Sequence, residues 1–353
     1  MRNSINKLFV CILMGILLFQ IGRAQDNQKL AQTSFKFLSV VSDARAAALA
    51  NAVTSLQLGS SAQFFNPAGM SGMESFFDVS ASTNQWIADI KYYTVGIAVN
   101  PFNGDYGVIG FNLQYVDYGS FIETRVSNDP ANLKGYDDIG LFNLNAMAIG
   151  VSYAKKISDR FSIGGQVQWA RQDLGQSLVP NDVAQIAILD TTGNPTGRYV
   201  DSTTNASNKL NPLVFSFGTQ FKTGIKSLVF GMSIRNFSKE VQYVYEQFQL
   251  PLVFTIGISM NVLDIVDIDP SVQSLYTCID ASHYRDHPEQ LKIGMEYKIY
   301  NTIAFRAGYA TNSDESGMSF GVGITQYGLA VDYAYTPFGV WDKVQRVTVR
   351  FSH

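Results

Sequence analysis

The sequence predicts an all-β fold: a 14-stranded antiparallel transmembrane β-barrel with a small helical plug at its N-terminus. Three observations predict it: a leader for export, few charged residues among many aromatic ones, and strand segments that alternate with a period of two. Aromatic residues make up 13% of the chain and charged residues 16%, whereas soluble domains carry about 25% charged residues. After the leader, no apolar stretch reaches the ~18 residues of a spanning helix. Strands of a closed barrel are then the remaining way to cross a membrane.

Residues 1–24 have the features of a signal peptide. A positively charged start precedes the apolar run 8–22, and Gly22 and Ala24 are the small residues expected before a cleavage site. An N-terminal anchor that stays attached is the alternative interpretation. Cleavage after residue 24 leaves Cys278 as the single cysteine, so we expect no disulfide within the chain.

The charge balance excludes nucleic acid as an expected partner. The leader contains three basic and no acidic residues, so the predicted mature chain has 23 basic and 29 acidic residues and a net charge of −6. Binding to a phosphate backbone requires the opposite balance.

Alternation with a period of two recurs from residue 76 to the end of the chain. In 147–155 (MAIGVSYAK) and 303–309 (IAFRAGY), bulky apolar residues occupy one face and small or charged residues the other. A barrel in lipid needs this apolar exterior and a polar or small-residue lumen. The predicted strands are about 76–82, 92–99, 106–116, 147–155, 161–170, 213–222, 228–235, 252–260, 275–283, 291–299, 302–310, 318–325, 328–335 and 344–352.

The connections agree with an even number of strands. With the N-terminus in the periplasm, the long connections 117–146 and 171–212 fall on the outside as loops, and tight turns such as 156–160 fall on the inside. The inner turn 261–274 is unusually long, and we expect Ile265 and Ile268 to pack against the base of the barrel.

The domain prediction has three parts: a signal peptide (1–24), a plug segment (25–75) and the barrel (76–353). Fourteen strands enclose a lumen too wide for wall side chains to fill, so the Ala- and Gly-rich plug is expected to fill it. Residues 42–59 predict a short helix. Asn66 and Pro67 predict a turn that seats Phe64 and Phe65 against the wall.

Residues 42–70 (SDARAAALANAVTSLQLGSSAQFFNPAGM) resemble the N-terminal signature of the PorV/PorQ family, which is related to the long-chain fatty acid transporters. The matching positions are Asp43-Ala44-Arg45 and Phe65-Asn66-Pro67-Ala68-Gly69, and the closing segment 329–351 also resembles the family. The resemblance implies a barrel in the cell outer membrane, in contact with outer-membrane lipid. It implies a type IX secretion component that binds exported cargo and hands it to the surface attachment machinery.

The implied partners are therefore secreted cargo proteins and other subunits of the secretion system. Two alternatives stay open. One is a channel for hydrophobic solutes like the fatty acid transporters, with a hydrophobic small molecule as its partner. The other is a structural, porin-like protein.

Six charged residues of the last strands are expected on the inner face. They are Glu296, Lys298, Arg306, Asp332, Arg346 and Arg350. Ion pairs that hold barrel and plug together are the favoured interpretation, and a polar lining for a ligand or peptide is the functional one.

Other chemical motifs are weak. His283 and His287 have a metal-like spacing, but they lie at a strand end and in a loop. Asp264, Asp267 and Asp269 lack the glycine and glutamate of a calcium loop. Ser282-His283 has no third partner for a hydrolase, and its side chains point to opposite faces. We therefore expect no catalytic residues, no metal, no cofactor and no enzymatic activity.

The three tryptophans fall near the outer ends of predicted strands. Trp86, Trp169 and Trp341 are expected in the aromatic girdle at the outer membrane interface or in loops above it. Contact with cargo is the alternative role.

Overall fold

The computed structural model describes residues 33–127, 132–189, 192–243, 246–313, 317–339 and 343–353. The leader 1–24, the start of the plug segment and Trp341 lie outside these ranges. The strands are β1 (Phe77–Gln85), β2 (Lys91–Val99), β3 (Val108–Val126), β4 (Tyr136–Lys156), β5 (Phe161–Leu189), β6 (Pro195–Leu210), β7 (Leu213–Lys222), β8 (Val229–Phe237), β9 (Val241–Gln242), β10 (Gln247–Phe248), β11 (Val253–Asn261), β12 (Gln273–Tyr284), β13 (Gln290–Ile299), β14 (Ile303–Ala310), β15 (Met318–Gln326), β16 (Leu329–Pro337) and β17 (Lys343–Ser352).

The strands form a closed antiparallel ring. Most ring strands pair with their neighbours along the chain, while β5 pairs with β7 and β8 pairs with β11. β1 pairs with β17 to close the ring, with Ala81 opposite Val349. Within the described residues the ring has fourteen strands, because β6, β9 and β10 lie outside it. The predicted barrel and its strand count are confirmed.

The two faces of the ring follow the predicted alternation. On β2, Tyr93, Val95 and Ile97 are exposed on the outer face, while Thr94 and Ala98 are buried on the inner face. Outward bulky apolar residues and inward small or polar residues suit a lipid exterior and a packed lumen. No helix among the described residues is long and apolar enough to span a membrane.

The two longest connections are β-hairpins, not the loops predicted from the sequence. β3 and β4 stay paired as far as Val126 and Tyr136, and β5 continues to Leu189 against β6. We call residues 118–127 and 132–144 the β3–β4 arm, and residues 174–189 and 192–210 the β5–β6 arm. The polar composition of the arms obscures their strand structure in the sequence, because a strand outside lipid needs no apolar face.

Both arms leave the barrel at a local irregularity of the same kind. Asp117 accepts a hydrogen bond from the N–H of Gly119, and Asp173 accepts one from Gly175. Each glycine has a positive φ, and each pairing shifts register at that point. These are β-bulges, which bend a strand and strengthen its twist.

The arms define two ends of the barrel. The arms lie at the long-hairpin end, and short turns such as 156–160 and 223–228 lie at the short-turn end. The turn between β11 and β12 is also at the short-turn end and contains a 3₁₀ helix, Val262–Val266. Ile265 is 62% exposed and Ile268 is also exposed, so the expectation that they pack against the base is wrong.

Between residues 33 and 75, the plug contains one short α-helix, α1 (Ala44–Ala48). Its other helical segments are 3₁₀ turns, Lys36–Ser39, Gly59–Phe64 and Pro67–Met70. The predicted helix 42–59 ends early because Ala50 and Asn51 adopt left-handed φ values of 52° and 64°. The N–H of Asn51 bonds the carbonyl of Ala46 at 2.9 Å, which closes the helix. Two further 3₁₀ turns, Ile87–Asp89 and Pro101–Gly104, connect barrel strands.

Candidate functional site

The described part of the plug, residues 33–75, extends through the lumen from one end to the other. At the long-hairpin end, the N–H of Ser34 bonds the carbonyl of Gln249 at 3.0 Å. At the short-turn end, Asn100 donates to the carbonyl of Met73 at 2.7 Å. The contacts between plug and wall are the candidate site, because they hold the segment that occupies the lumen.

A buried ion network joins the plug to the wall. Arg45 of α1 donates two hydrogen bonds of 2.8 Å to the two carboxylate oxygens of Glu296 on β13. Arg306 also binds Glu296, at 2.5 Å, and binds Asp332 at 2.7 Å, while Lys298 lies 3.2 Å from Glu296. The Glu296 side chain is fully buried. Four of the six predicted lumen residues therefore meet around one plug arginine.

The other two predicted lumen residues bind plug backbone. Arg346 donates to the carbonyl of Val41 at 2.8 Å, and Arg350 donates to the carbonyl of Leu58 at 3.4 Å. Both arginines therefore add wall contacts to plug carbonyls: that of Val41 also accepts from Asn84 on β1, and that of Leu58 also accepts from the N–H of Ser61 in the plug.

Two buried wall carboxylates accept from plug N–H groups. Asp78 on β1 accepts from the N–H of Ser60 at 2.8 Å, and Asp280 on β12 accepts from the N–H of Thr54 at 3.0 Å. The sequence analysis missed both residues. Alternation from Cys278 and Ser282 was a sufficient signal for Asp280, because it places the residue on the inner face.

Two of the plug residues predicted from the sequence, Asp43 and Asn66, form hydrogen bonds within the plug. Asp43 caps α1 by accepting from the N–H of Ala46 at 2.8 Å. Asn66 accepts from the N–H of Ala68 and donates to the carbonyls of Thr54 and Thr219 at 2.7 and 3.0 Å. Asn66 therefore joins two plug segments and one wall strand.

The two neighbouring phenylalanines differ in burial. Phe65 is buried in the apolar core of the plug, whereas Phe64 is half-buried. The carbonyl of Phe64 accepts from Arg235 on β8 at 2.6 Å, and Pro67 starts the following 3₁₀ turn.

Glycines on the inner wall let the plug backbone approach closely. A Cβ atom at Gly164 on β5 would lie 2.4 Å from the nitrogen of Ala68, and one at Gly308 on β14 would lie 2.4 Å from the nitrogen of Ala50. Real Cβ atoms do not approach backbone so closely, so a side chain at either position must displace the plug. Sequence reasoning missed these positions because glycine on a strand signals many kinds of close approach.

Residues 33–39, which we call the strap, are fixed at the long-hairpin end by a salt bridge and hydrogen bonds. Asp286, in the turn after β12, binds the Thr33 hydroxyl, the Lys36 ammonium and the ring of His287. Burial opposes ionisation of this carboxyl, but the hydrogen bonds from His287, Lys36 and Thr33 outweigh it and hold its pKa well below the usual range. Gln172 on β5 accepts from the N–H of Phe35 at 3.2 Å.

A cavity of about 480 Å³ lies under the strap, between the plug and the wall. Its aromatic and apolar lining includes Phe37, Trp86, Ile90, Tyr92, Tyr118 and Phe338, and its polar lining includes Asn51, Asp286, His287, Gln290, Lys292 and Arg346. A second cavity, of about 20 Å³ and lined by Gln63, Gln166 and Gln168, has room for a single water.

Trp86 corrects the girdle prediction. Its ring packs inward, 4.8 Å from the ring of Phe338, and Arg346 lies 5.4 Å above it. Alternation accounts for this position, because Ser82 and Asn84 are buried on the inner face of β1 and Trp86 follows them with the same parity. Trp169 is exposed on the outer face of β5 at the side of the long-hairpin end, where the girdle was predicted.

The weak chemical motifs are separated in the structure. Ser282 is buried in the lumen beside Thr255, while His283 points outward to Glu289 at 3.2 Å. Of the three turn aspartates, Asp264 accepts from Asn261, Asp267 pairs with Lys226, and Asp269 accepts from the N–H of Ser271. No group of three metal-binding side chains occurs in the described part of the chain.

Comparison with known proteins gives a family match and a shared fold. The model of the family described as "Type IX secretion system protein PorV" matches residues 23–213, more than half of the chain. No curated protein sequence matches the chain.

Several solved barrels share the fold at low sequence identity. The Ralstonia pickettii toluene transporter TbuX is 14% identical, with a TM-score of 0.54 over 87% of this chain and 97% of that one. The CymD monoaromatic hydrocarbon channel is 11% identical, with a TM-score of 0.55 over 90% and 98%. A Pseudomonas aeruginosa FadL homologue is 14% identical, with a TM-score of 0.53 over 89% and 99%. At these identities the likeness extends to the fold alone.

Proposed function

The chain belongs to the PorV family of type IX secretion proteins and forms a barrel of the outer membrane, and from this premise we propose that it binds exported cargo at the cell surface and hands it to the attachment machinery. The observation that carries the proposal is the filled lumen. Arg45, buried against Glu296, fixes the plug to the wall, and wall carboxylates hold its backbone. A barrel closed in this way serves secretion as a receptor and not as a conduit for protein.

The arms give such a receptor a binding surface. Two long hairpins project beyond the ring at the long-hairpin end, and we infer from the loop lengths that this end faces the outside of the cell. Among the described residues, the connections at the short-turn end are turns and the two short 3₁₀ segments Pro101–Gly104 and Val262–Val266. Cargo arriving at the surface would therefore meet the arms first.

Binding in a defined system tests the proposal. The full-length protein in nanodiscs is presented with the purified C-terminal signal domain of a protein that the same cells export. We expect saturable binding, and no binding of a folded domain from a protein that stays in the periplasm. Equal binding of both domains, or of neither, would contradict the proposal.

The cavity under the strap supports a second candidate, a site for a hydrophobic solute. Its volume of about 480 Å³ is within the range of small-molecule sites, which are mostly apolar with a few polar groups. Barrels of the same fold include proteins described as toluene and hydrocarbon transporters.

Titration calorimetry with toluene and with oleate tests this candidate. Binding that weakens at least about tenfold in Phe338→Ser, which adds a polar group to the aromatic end, would favour a solute site. Phe102→Ser, a change at an exposed position of the short-turn end, is the control. Absence of binding of both probes would exclude these two solutes and leave the receptor proposal unaffected.

A further inference from the structure

The lipid-facing surface of the barrel ends at a row of polar residues. Below this row, the outward cross-strand pairs of β2 and β3 are apolar, as in Val95 opposite Leu113 and Ile97 opposite Phe111. The row crosses six adjacent strands through directly opposed residues: Gln345, Gln85, Lys91, Asp117, Asn145 and Asp173. Side chains of this kind belong at the water interface, so the lipid-facing part of each of these strands ends at this row.

Beyond the polar row, apolar pairs return on the outer face of the β3–β4 arm and alternate with polar pairs. The apolar pairs are Ile122 with Leu141 and Val126 with Tyr136, and the polar pairs are Ser120 with Asn143 and Thr124 with Asp138. Strand alternation from Asn145 places Leu141 on the outer face, and Ile122 with it. Ile122 is 64% and Leu141 74% exposed. Lipid does not explain these residues, because the polar row separates them from the bilayer.

The strand edges of the same arm have no partner among the described strands. β3 pairs with β2 only as far as Asp117, and β4 pairs with β5 only as far as Asn145. Beyond these points each strand has one row of backbone N–H and C=O groups without a neighbouring strand.

The two edges differ in access. The edge of β4 faces the β5–β6 arm, whereas the space beside β3 is left open by the β1–β2 connection, whose Trp86 and Ile90 pack inward. An occupant of the β3 edge must supply backbone hydrogen bonds and cover apolar side chains. An extended protein strand does both, and lipid supplies no hydrogen bonds.

We propose that the free edge of β3 at 120–126, with the outer face of the β3–β4 arm, is a docking site for an extended β-strand of exported cargo. The strand adds to the arm beside the barrel, not over its mouth. This inference rests on the proposed function and adds the surface and the mode of binding. The added strand would cover Ile122 and Leu141 and satisfy the backbone groups of the edge.

The first test changes the outer face alone. The double variant Ile122→Ser with Leu141→Ser, in the full-length protein in nanodiscs, is expected to bind the signal domain at least about tenfold more weakly than the unchanged protein. The matched control is Glu123→Ser with Arg125→Ser, which alters two exposed residues on the opposite face of the same strand. Heat-modifiable migration on gels confirms that each barrel is assembled.

The outcomes separate the inference from the proposed function. Unchanged affinity of the Ile122→Ser, Leu141→Ser variant would overturn the inference and leave cargo binding intact. No binding of the signal domain by the unchanged protein would overturn both. Equal weakening by the control variant would also overturn the inference, because it would show that arm folding matters and not the outer face.

A second measurement tests the strand geometry. Hydrogen exchange of the bound signal domain should protect one continuous stretch of about five to seven residues, the length that the edge 120–126 can pair. Protection confined to loops of the signal domain would overturn strand addition.

Discussion

Glu296 joins the plug to the wall through a buried network of charged side chains. Three cationic side chains from the plug and two wall strands bind its two oxygens, and the carboxylate is fully buried. A buried pair of this kind contributes little over an apolar substitute, but loss of one partner leaves charge buried without compensation. The network therefore favours one position of the plug over all others.

Glu296→Gln should destabilise the folded barrel by about 3–5 kcal/mol. Urea unfolding from lipid vesicles measures the change, and a double-mutant cycle with Arg45→Leu should give a coupling energy of about 1–3 kcal/mol. The exposed pair of Lys226 and Asp267 supplies the control, because Lys226→Met should leave the unfolding free energy unchanged within error. Additive effects in the cycle would show that the pair does not fix the plug.

The attachment of the strap should depend on pH through Asp286. Because the folded state lowers the pKa of this carboxyl, its contribution to stability is complete above the ordinary carboxyl pKa of about 4 and is lost as pH falls through the lowered value. A nitroxide on Ser39→Cys should be immobile at pH 7 and gain mobility below about pH 4. Cys278 is buried and does not compete for the label.

Asp286→Asn is the matched variant for this measurement. It keeps the size of the side chain and removes the charge that binds Lys36. The nitroxide should then be mobile at pH 7 and show no further change on acidification. A strap that stays immobile in this variant would show that Gln172 and Gln249 hold it without Asp286.

At the scale of elements, the wall strands are shaped to fit the plug. Two adjacent glycines on β5 offer a direct comparison. A Cβ at Gly164 would overlap the plug backbone, whereas a Cβ at Gly165 would have its nearest neighbour at 3.7 Å, on Phe217. The two substitutions have equal propensity costs for the strand.

Gly164→Ala should loosen the plug, and Gly165→Ala should not. Single-channel recording in planar bilayers should show ion conductance for Gly164→Ala that the unchanged protein lacks, with normal heat-modifiable migration for both variants. Equal, low conductance of the two variants would mean that the plug shifts in Gly164→Ala without opening a path for ions. The lumen would then be closed by other contacts of the plug.

The elements of the wall were predictable because lipid imposes a pattern on every strand that crosses it. The apolar alternation ends at the polar row, and the strands predicted from it end there too. The sequence predicts loops at 117–146 and 171–212, whereas the described residues of both ranges are largely paired strands. Inside the lumen, inward charges such as Arg306 were predictable from alternation, but their partners were not. The pairing of Arg45 with Glu296 joins residues 251 positions apart, and periodicity contains no information about such a contact.

For the whole molecule, loop lengths predict that the arms lie outside the cell and the short turns in the periplasm. Cysteines at two exposed positions report the orientation: Leu133, which is fully exposed in the β3–β4 arm, and Tyr327, which is 92% exposed in a short turn. An impermeant maleimide should label Leu133→Cys on intact cells and label Tyr327→Cys only after lysis. The reverse labelling pattern would show that the barrel has the opposite orientation, and the arms could then not bind cargo at the cell surface.

The closing pair of the ring has a consequence for biogenesis. β1 is the first wall strand to be synthesised and β17 the last, and the plug precedes both in the chain. The plug also bridges early and late strands: Ala44 bonds Thr348 on β17, and Asn66 bonds Thr219 on β7. The contacts of the plug with the wall are therefore incomplete until the last strand has joined the barrel. Contacts between residues some 300 positions apart in the chain form slowly. During that interval the exported chain must be kept from collapse by other factors, and the last strand to arrive completes the wall and the seat of the plug in one event.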